Sequence, residues 1–243
     1  MSFATGLRQA LQLRHVDVVS ELRRGDSLED ILNRHLLVVE GMSDNQILTS
    51  VLLLSADGKR LTHGAAPHLP QPYREAIDGS EIGPAAGSCG TAAYLGRPVY
   101  VSDIAADPLW AAYRDLALPH GLRSCWSTPI RHANGDVMGT FAIYQRSVGG
   151  PTKDDLASIE IITDNVAKAI TWVRNPDAGK HASDLLQRQV AALGALVAGI
   201  RQQASTLDAE GQAAIDAVVA DSEKLAEIVQ RHLDGSNEPI EPG

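Results

Sequence analysis

The sequence predicts an α+β fold, a central antiparallel sheet with flanking helices, followed by a C-terminal helical hairpin. Three observations carry this reading. Apolar strands come in pairs around tight turns at Ala56-Asp57-Gly58-Lys59 and Asn134-Gly135-Asp136. Stretches with helical spacing separate those strands and close the set. From His181 onward the aromatic residues drop out and the apolar ones fall into heptads.

Leu11, Leu13, Val16, Val18, Val19 and Leu22 make an imperfectly amphipathic N-terminal helix within 1–24, and Gly25 ends it. Asp26-Ser27-Leu28-Glu29 offers a cap to a second helix carrying Leu28, Ile31, Leu32, Leu36 and Val39. After a polar break from Met42 to Asn45, Ile47 to Leu54 reads as a nearly continuous apolar strand. Arg60 to Ala65 is its hairpin partner. Three prolines between Pro67 and Pro72 forbid a central strand or helix interior and mark a surface connection. Tyr73 to Ile77 reads as a short helix, and Glu81-Ile82 as a brief strand.

The stretch from Gly87 to Ile130 holds both cysteines and two of the three tryptophans. Gly87-Ser88-Cys89-Gly90 lends backbone freedom ahead of Thr91 to Leu95, whose small residues suit a short helix packed closely on a sheet. That helix would start with free N–H groups near Ser88 to Thr91. Gly96-Arg97-Pro98 ends it, and Val99 to Ile104 alternates as a half-buried strand does. Leu109, Trp110, Tyr113, Leu116 and Ala117 predict a further helix, stopped by Pro119-His120-Gly121. The strand Arg123 to Ile130 follows, and Val137 to Tyr144 leaves the next hairpin turn. Leu156, Ile159, Ile162, Val166 and Ile170 give the closing helix over 152–173, with Thr152 and Asp155 as its capping box.

Residues 175–180 read as a linker, 181–234 as a helical hairpin and 235–243 as a disordered tail. Leu186, Val190, Leu193, Val197 and Ile200 form a heptad seam, and a second seam starts at Ile215. Two helices joined near Thr206 to Gly211 cannot bury both stripes alone. A second copy completing a four-helix bundle would, which predicts a homodimer; packing of the hairpin on its own domain is the alternative.

The net charge of −9, without a basic stripe to offset it, argues against a nucleic-acid surface. No apolar run is long enough for a membrane span and the N-terminus lacks signal-peptide features, so the chain reads as cytoplasmic. Two cysteines outside any C-x-x-C pair make neither a disulfide framework nor a zinc site. The eight histidines are scattered, without metal-binding spacing. Asp26, Glu29, Asp30, Asp154 and Asp155 read as helix-start carboxylates, and no catalytic set emerges. His181 lacks the acidic residue and proline expected after a phosphoacceptor histidine, so kinase activity is unsupported.

G-S-C-G-T-A at 87–92, G-R-P-V-Y-V-S-D-I at 96–104, D-P-L-W at 107–110, S-T-P-I at 127–130 and G-D-V-M-G-T-F at 135–141 occur in one order. That order resembles the GAF domain family, over residues 25–174. The resemblance implies a sensory module that binds a small ligand and relays it through flanking helices to a downstream signalling partner. It implies ligands such as cyclic nucleotides, tetrapyrroles, small anions or haem-bound gases; a covalent bilin is disfavoured by the context of Cys89, and the cofactor stays open. An alternative is the free methionine-(R)-sulfoxide reductase branch, which also places a cysteine in G-x-C-G-T-A. A further alternative is a ligand-free dimerisation scaffold.

The candidate ligand-binding residues are Cys89, Tyr94, Trp110, Tyr113, Cys125, Trp126 and Tyr144. Each cysteine has two readings, a redox-active thiol or a small core residue. Facing one pocket together, the two would permit a disulfide or a metal or haem site.

Overall fold

The computed structural model describes residues 3–43 and 47–175, together with single positions as far as 226. Contacts divide the chain into two compact units, Met1–Arg14 with Ser27–Thr171, and His15–Asp26 with Trp172–Gly243.

Helix α1 spans Phe3–Arg24 and α2 spans Leu28–Met42. The Ser27 hydroxyl accepts from the Asp30 N–H at 3.1 Å and donates to the Asp30 carboxylate at 2.6 Å, a reciprocal cap made three residues apart. The sheet contains β1 (Ile47–Leu54), β2 (Arg60–Ala65), β3 (Ser80–Glu81), β4 (Val99–Val101), β5 (Ser124–Arg131) and β6 (Val137–Gln145). Its order is β3-β2-β1-β6-β5-β4, and every pairing is antiparallel. Between β2 and β3 lies α3 (Gln71–Ile77), with Pro72 in its first turn, where a missing N–H costs no hydrogen bond. Helix α6 (Lys153–Arg174) closes the first unit and runs into the second. Thr152 caps it by accepting from the Asp155 N–H at 3.2 Å and donating to that carboxylate at 2.7 Å.

Strands β3 and β4 occupy opposite edges, so the chain between them has to cross the sheet. It does so through α4 (Gly87–Leu95), which lies over β4, β5 and β6. Register decides what α4 meets. Tyr144 stands opposite both Leu48 and Cys125, Ala142 opposite Ser50 and Ser127, and Thr140 opposite Leu52. Opposed residues share a face, so these side chains and Val101 form one surface of the sheet. Thr49, Val51, Phe141, Ile143, Trp126 and Ile130 alternate to the other. On that second surface α2 sends in Glu40, a fully buried carboxylate. Its Oε1 accepts from the Thr49 N–H and hydroxyl, each at 2.7 Å, and its Oε2 meets His68 Nδ1. Both oxygens of this buried carboxylate therefore have partners.

Two elements differ from the sequence expectation. The strand expected over 99–104 stops at Val101, because the Asp103 carboxylate accepts from the Ala105 N–H at 3.0 Å and turns the chain. The single helix expected from Leu109 to Ala117 is broken into a 3₁₀ turn at Pro108–Trp110, a short α5 at Arg114–Ala117 and a second 3₁₀ turn at Leu118–His120. Tertiary anchoring overrides the helical period there: Asp107 caps the first turn at Leu109 N–H, 2.9 Å, and Arg114 reaches back to the Asp107 carbonyl at 3.2 Å. Asp177, inside the expected linker, is helical, as is Ile200, which is 39% exposed. Leu186, Val190, Leu193 and Val197, the turn at 205–208 and the tail lie outside the described residues.

Strands β1 and β6 pack closely at Gly139. A Cβ there would lie 2.2 Å from the Leu52 carbonyl oxygen and 3.2 Å from Leu53 Cα, both backbone atoms that cannot swing away. Gly139→Ala is expected to lower stability by about 1–3 kcal/mol, read as a lower urea midpoint at unchanged slope. Gly149→Ala, with open space around it, is the control, and equal midpoints for the two variants would refute the packing argument.

Candidate functional site

Helix α4 begins at Gly87, whose φ of +62° favours glycine, and its N-cap Ala86 has no side-chain acceptor to offer. The Thr91 hydroxyl instead reaches back from inside the helix and accepts from the N–H of Ala86 itself at 3.0 Å. Gly90 lets the turn fold back on itself: a Cβ would sit 2.6 Å from Ala86 Cβ and 3.4 Å from the Glu81 carbonyl. Glycine at both ends of Ser88-Cys89 thus presses these two residues against the sheet.

Ser88 is fully buried, and its hydroxyl both donates to the Cys125 carbonyl at 2.9 Å and accepts from Trp110 Nε1 at 3.1 Å. It joins α4, β5 and the 3₁₀ turn at one oxygen. Next to it, Cys89 Sγ lies 3.8 Å from the Tyr144 hydroxyl, in the same buried cluster as Cys125. Tyr144 meets Tyr73 edge-on, with centroids 5.9 Å apart at 82°, and Tyr73 meets His120 at 6.2 Å.

Between α4, α3 and the sheet these side chains line a half-open pocket of about 30 Å³. Leu52, Leu61, Tyr73 and Ile77 form its apolar part; Ser88, Cys89, Trp110, Tyr113 and Tyr144 bring polar atoms, with Ser80 and Glu81 alongside. One water needs roughly 10–15 Å³ on this measure, and a drug-sized ligand needs a pocket of roughly 300–1,000 Å³. In this conformation the chamber admits a water-sized guest and little more.

The two thiols differ. Hydrogen bonding from Cys125 lowers the Cys89 pKa to about 7, against burial that raises it, with Ser127, Tyr144 and Thr140 also lowering it. Burial, then Cys89 itself, pushes Cys125 well up. The pair therefore loses one proton more readily than the second. Burial likewise raises Tyr144 and Tyr73, which keeps both phenols protonated as donors.

Of the seven candidate residues, Cys89, Trp110, Tyr113 and Tyr144 line the chamber. Cys125 sits fully buried behind Cys89. The other two lie elsewhere. Trp126, adjacent to Cys125 on the same strand, points to the opposite face and donates to the Gly149 carbonyl at 2.9 Å. Tyr94 is five residues beyond Cys89, roughly 140° around the helix, and is 55% exposed. Tyr73, Ser88 and the hydroxyls beneath α4 were absent from the sequence-derived set. Tyr73 comes from α3, Ser88 from α4 and the hydroxyls from the sheet, so the crossover of the chain and not a local pattern brings them together. Among the described residues no three His, Cys, Asp or Glu side chains gather to hold a metal ion, and no helix is long and apolar enough to cross a membrane.

Comparison with known proteins gives a consistent picture. The GAF domain family matches residues 25–171. The methyl sulfide methyltransferase-associated sensor of Methanosarcina acetivorans is 34% identical over 167 residues, covering 69% of this chain and 17% of that protein. The chain thus spans about 17% of that relative's length. Among solved structures, the GAF domain of an Acinetobacter phosphoenolpyruvate-protein phosphotransferase superposes with a TM-score of 0.53 at 13% identity, over 72% of this chain and 96% of that one. The substrate-bound free methionine-R-sulfoxide reductase of Neisseria meningitidis superposes with a TM-score of 0.53 at 16% identity, over 72% and 95%. At such identities the likeness is one of fold.

The thiol asymmetry predicts a pH profile. Because only the thiolate is alkylated, iodoacetamide labelling of Cys89 in the native protein should be slow below the pKa, climb through pH of about 7 and then level off. Cys125 should stay unlabelled until the protein is denatured. Equal labelling of both thiols, or a midpoint near the ordinary value of 9.0, would contradict the assignment.

Proposed function

Because this chain belongs to the GAF domain family, we propose that it is a cytoplasmic sensory module. A small ligand enters the chamber beneath α4, and its binding is relayed through the flanking helices to a partner protein. The observation that carries this reading is the chamber itself, closed on one side by Trp110 and Tyr113. Trp110 ends the first 3₁₀ turn and Tyr113 directly precedes α5, so both belong to a segment of short turns tied to the rest by Asp107, Ser88 and Arg114. A guest larger than water has to displace that segment, so binding and movement are one event. The ligand then acts through its differential affinity for the two arrangements. The 34% identity to a protein named as a sensor supports the same role.

The seam Leu186, Val190, Leu193, Val197 and Ile200 is assigned to a homodimer, which fits the exposure of Ile200 at 39%. A dimer gives the relay a second helix pair to act on. In the sensory reading no residue has a catalytic role. A second reading, a thiol-dependent sulfoxide reductase, draws on one observation, that Cys125 and Cys89 share one buried cluster.

Mass spectrometry of the denatured extract and an absorbance spectrum of the native protein are expected to reveal a bound small molecule. Trp110→Ala should lose or weaken it while circular dichroism stays native. An empty extract, with no thermal shift across a metabolite panel, would leave the ligand-free scaffold as the better account. Turnover of free methionine-(R)-sulfoxide that vanishes in Cys89→Ser would favour the reductase. In sedimentation, the full chain should run as a dimer and a Val190→Asp, Val197→Asp double variant as a monomer; an unaffected dimer would exclude the seam as the main interface.

A further inference from the structure

We propose that Cys89 and Cys125 are a hydroperoxide-reactive pair, in which Cys89 takes up an oxygen atom and Cys125 closes on it as an intramolecular disulfide. The inference goes beyond the sensory reading and does not depend on it, because it rests on the thiols and the size of the space in front of them.

The placement comes from three observations. Ser88, one residue before Cys89, donates to the carbonyl of Cys125 at 2.9 Å, which locks the two backbones side by side. Cys125 stands opposite Tyr144 in the sheet, and the Tyr144 hydroxyl lies 3.8 Å from Cys89 Sγ. Both cysteines lie in one buried core cluster, where each influences the charge of the other. Access divides the roles. Cys89 lines the cavity, whereas Cys125 is 0% exposed and lines none of it. An oxidant therefore meets Cys89 first, and Cys125 is reached only by Cys89.

Size selects the oxidant. A cavity of about 30 Å³ holds hydrogen peroxide, a molecule little larger than water, and excludes a glutathione-sized disulfide. The Cys89 thiolate attacks one peroxide oxygen, the O–O bond breaks, and hydroxide leaves and is protonated to water, giving the sulfenic acid. The Tyr144 hydroxyl, beside Cys89 Sγ, is the donor positioned for that leaving oxygen. Cys125 sulfur then attacks Cys89 sulfur: the S–S bond forms, the S–O bond breaks, and the departing hydroxide takes up the Cys125 proton as a second water. The two sulfurs together lose two electrons, which reduce one peroxide to two waters. The product ties the first turn of α4 to β5, beside the Ser88 oxygen that holds Trp110.

The test uses the full chain, reduced and freed of reductant, with hydrogen peroxide as the probe. Thiol titration under denaturing conditions should fall from two to none. Unreduced peptide maps should show Cys89 joined to Cys125, and non-reducing gels should show no new covalent dimer. Cys125→Ser should stop at a sulfenic acid that dimedone traps on Cys89. Cys89→Ser should consume peroxide at least about tenfold more slowly. The proposal is overturned if natively folded parent protein keeps both thiols after peroxide, or if the disulfide joins two chains. It is equally overturned if methionine sulfoxide oxidises the pair and peroxide does not, which would move the thiols to the reductase reading. Should either serine variant misfold, the peptide map of the parent still decides. An empty chamber in the ligand experiment leaves this result untouched.

Discussion

The hydroxyl of Ser88 is the interaction on which the rest of the site depends. One oxygen donates to the carbonyl of β5 and accepts from the indole of Trp110, so a strand, a helix and a loop turn share a single buried atom. A hydrogen bond of this kind is worth about 1 kcal/mol net, but removing a partner from a dry interior costs about 1–3 kcal/mol for each group left unmet. The asymmetry explains how one small side chain fixes so much. Without it the Trp110 N–H would be stranded and α4 would lose its tie to β5.

That arrangement is itself imposed by topology. With β3 and β4 on opposite edges, the connection has to cross one face of the sheet, and a helix crossing so close requires a small first turn. Gly87, Ser88, Cys89 and Gly90 supply one. The approach at Gly90 is too tight for any Cβ, and Ser88 and Cys89 are among the smallest side chains that still carry chemistry. Close packing and polar function are thus satisfied by the same residues.

The face under α4 is unusual in what it buries. Among Leu52, Leu61, Val101 and Ala142 lie two thiols, two phenols and the hydroxyls of Ser50, Ser127 and Thr140. The Ser50 and Thr140 hydroxyls form no well-aligned hydrogen bond. Such a cluster is a poor way to stabilise a core, since each unmet hydroxyl forfeits part of its hydration. It is a good way to set the charge state of one sulfur, because hydroxyls and a neighbouring thiol favour the thiolate of Cys89 while burial keeps its neighbours protonated. On the opposite face the buried carboxylate of Glu40 is held by Thr49 and His68. One surface of the sheet is built for a fixed helix, the other for a reactive group.

The sequence by itself determined the elements and their order. The turns at Gly58 and Gly135, the caps at Ser27 and Thr152, the proline connection and the family resemblance all rest on residues within a few positions of one another, where local dihedral preference and hydrogen bonding decide. Which side chains meet was decided only by the tertiary structure. Cys89 finds Cys125 because the chain crosses the sheet and because β5 pairs with β6 in one register; a slip of one residue would have brought Trp126 to the chamber and sent Cys125 to the other face. Tyr94 shares the helix of Cys89 yet turns outward, and the helical period at 109–117 yields to anchors contributed by Ser88 and Asp107. Local periodicity carries no record of such distant partners, so the chamber became legible only once the crossover and the register were in place.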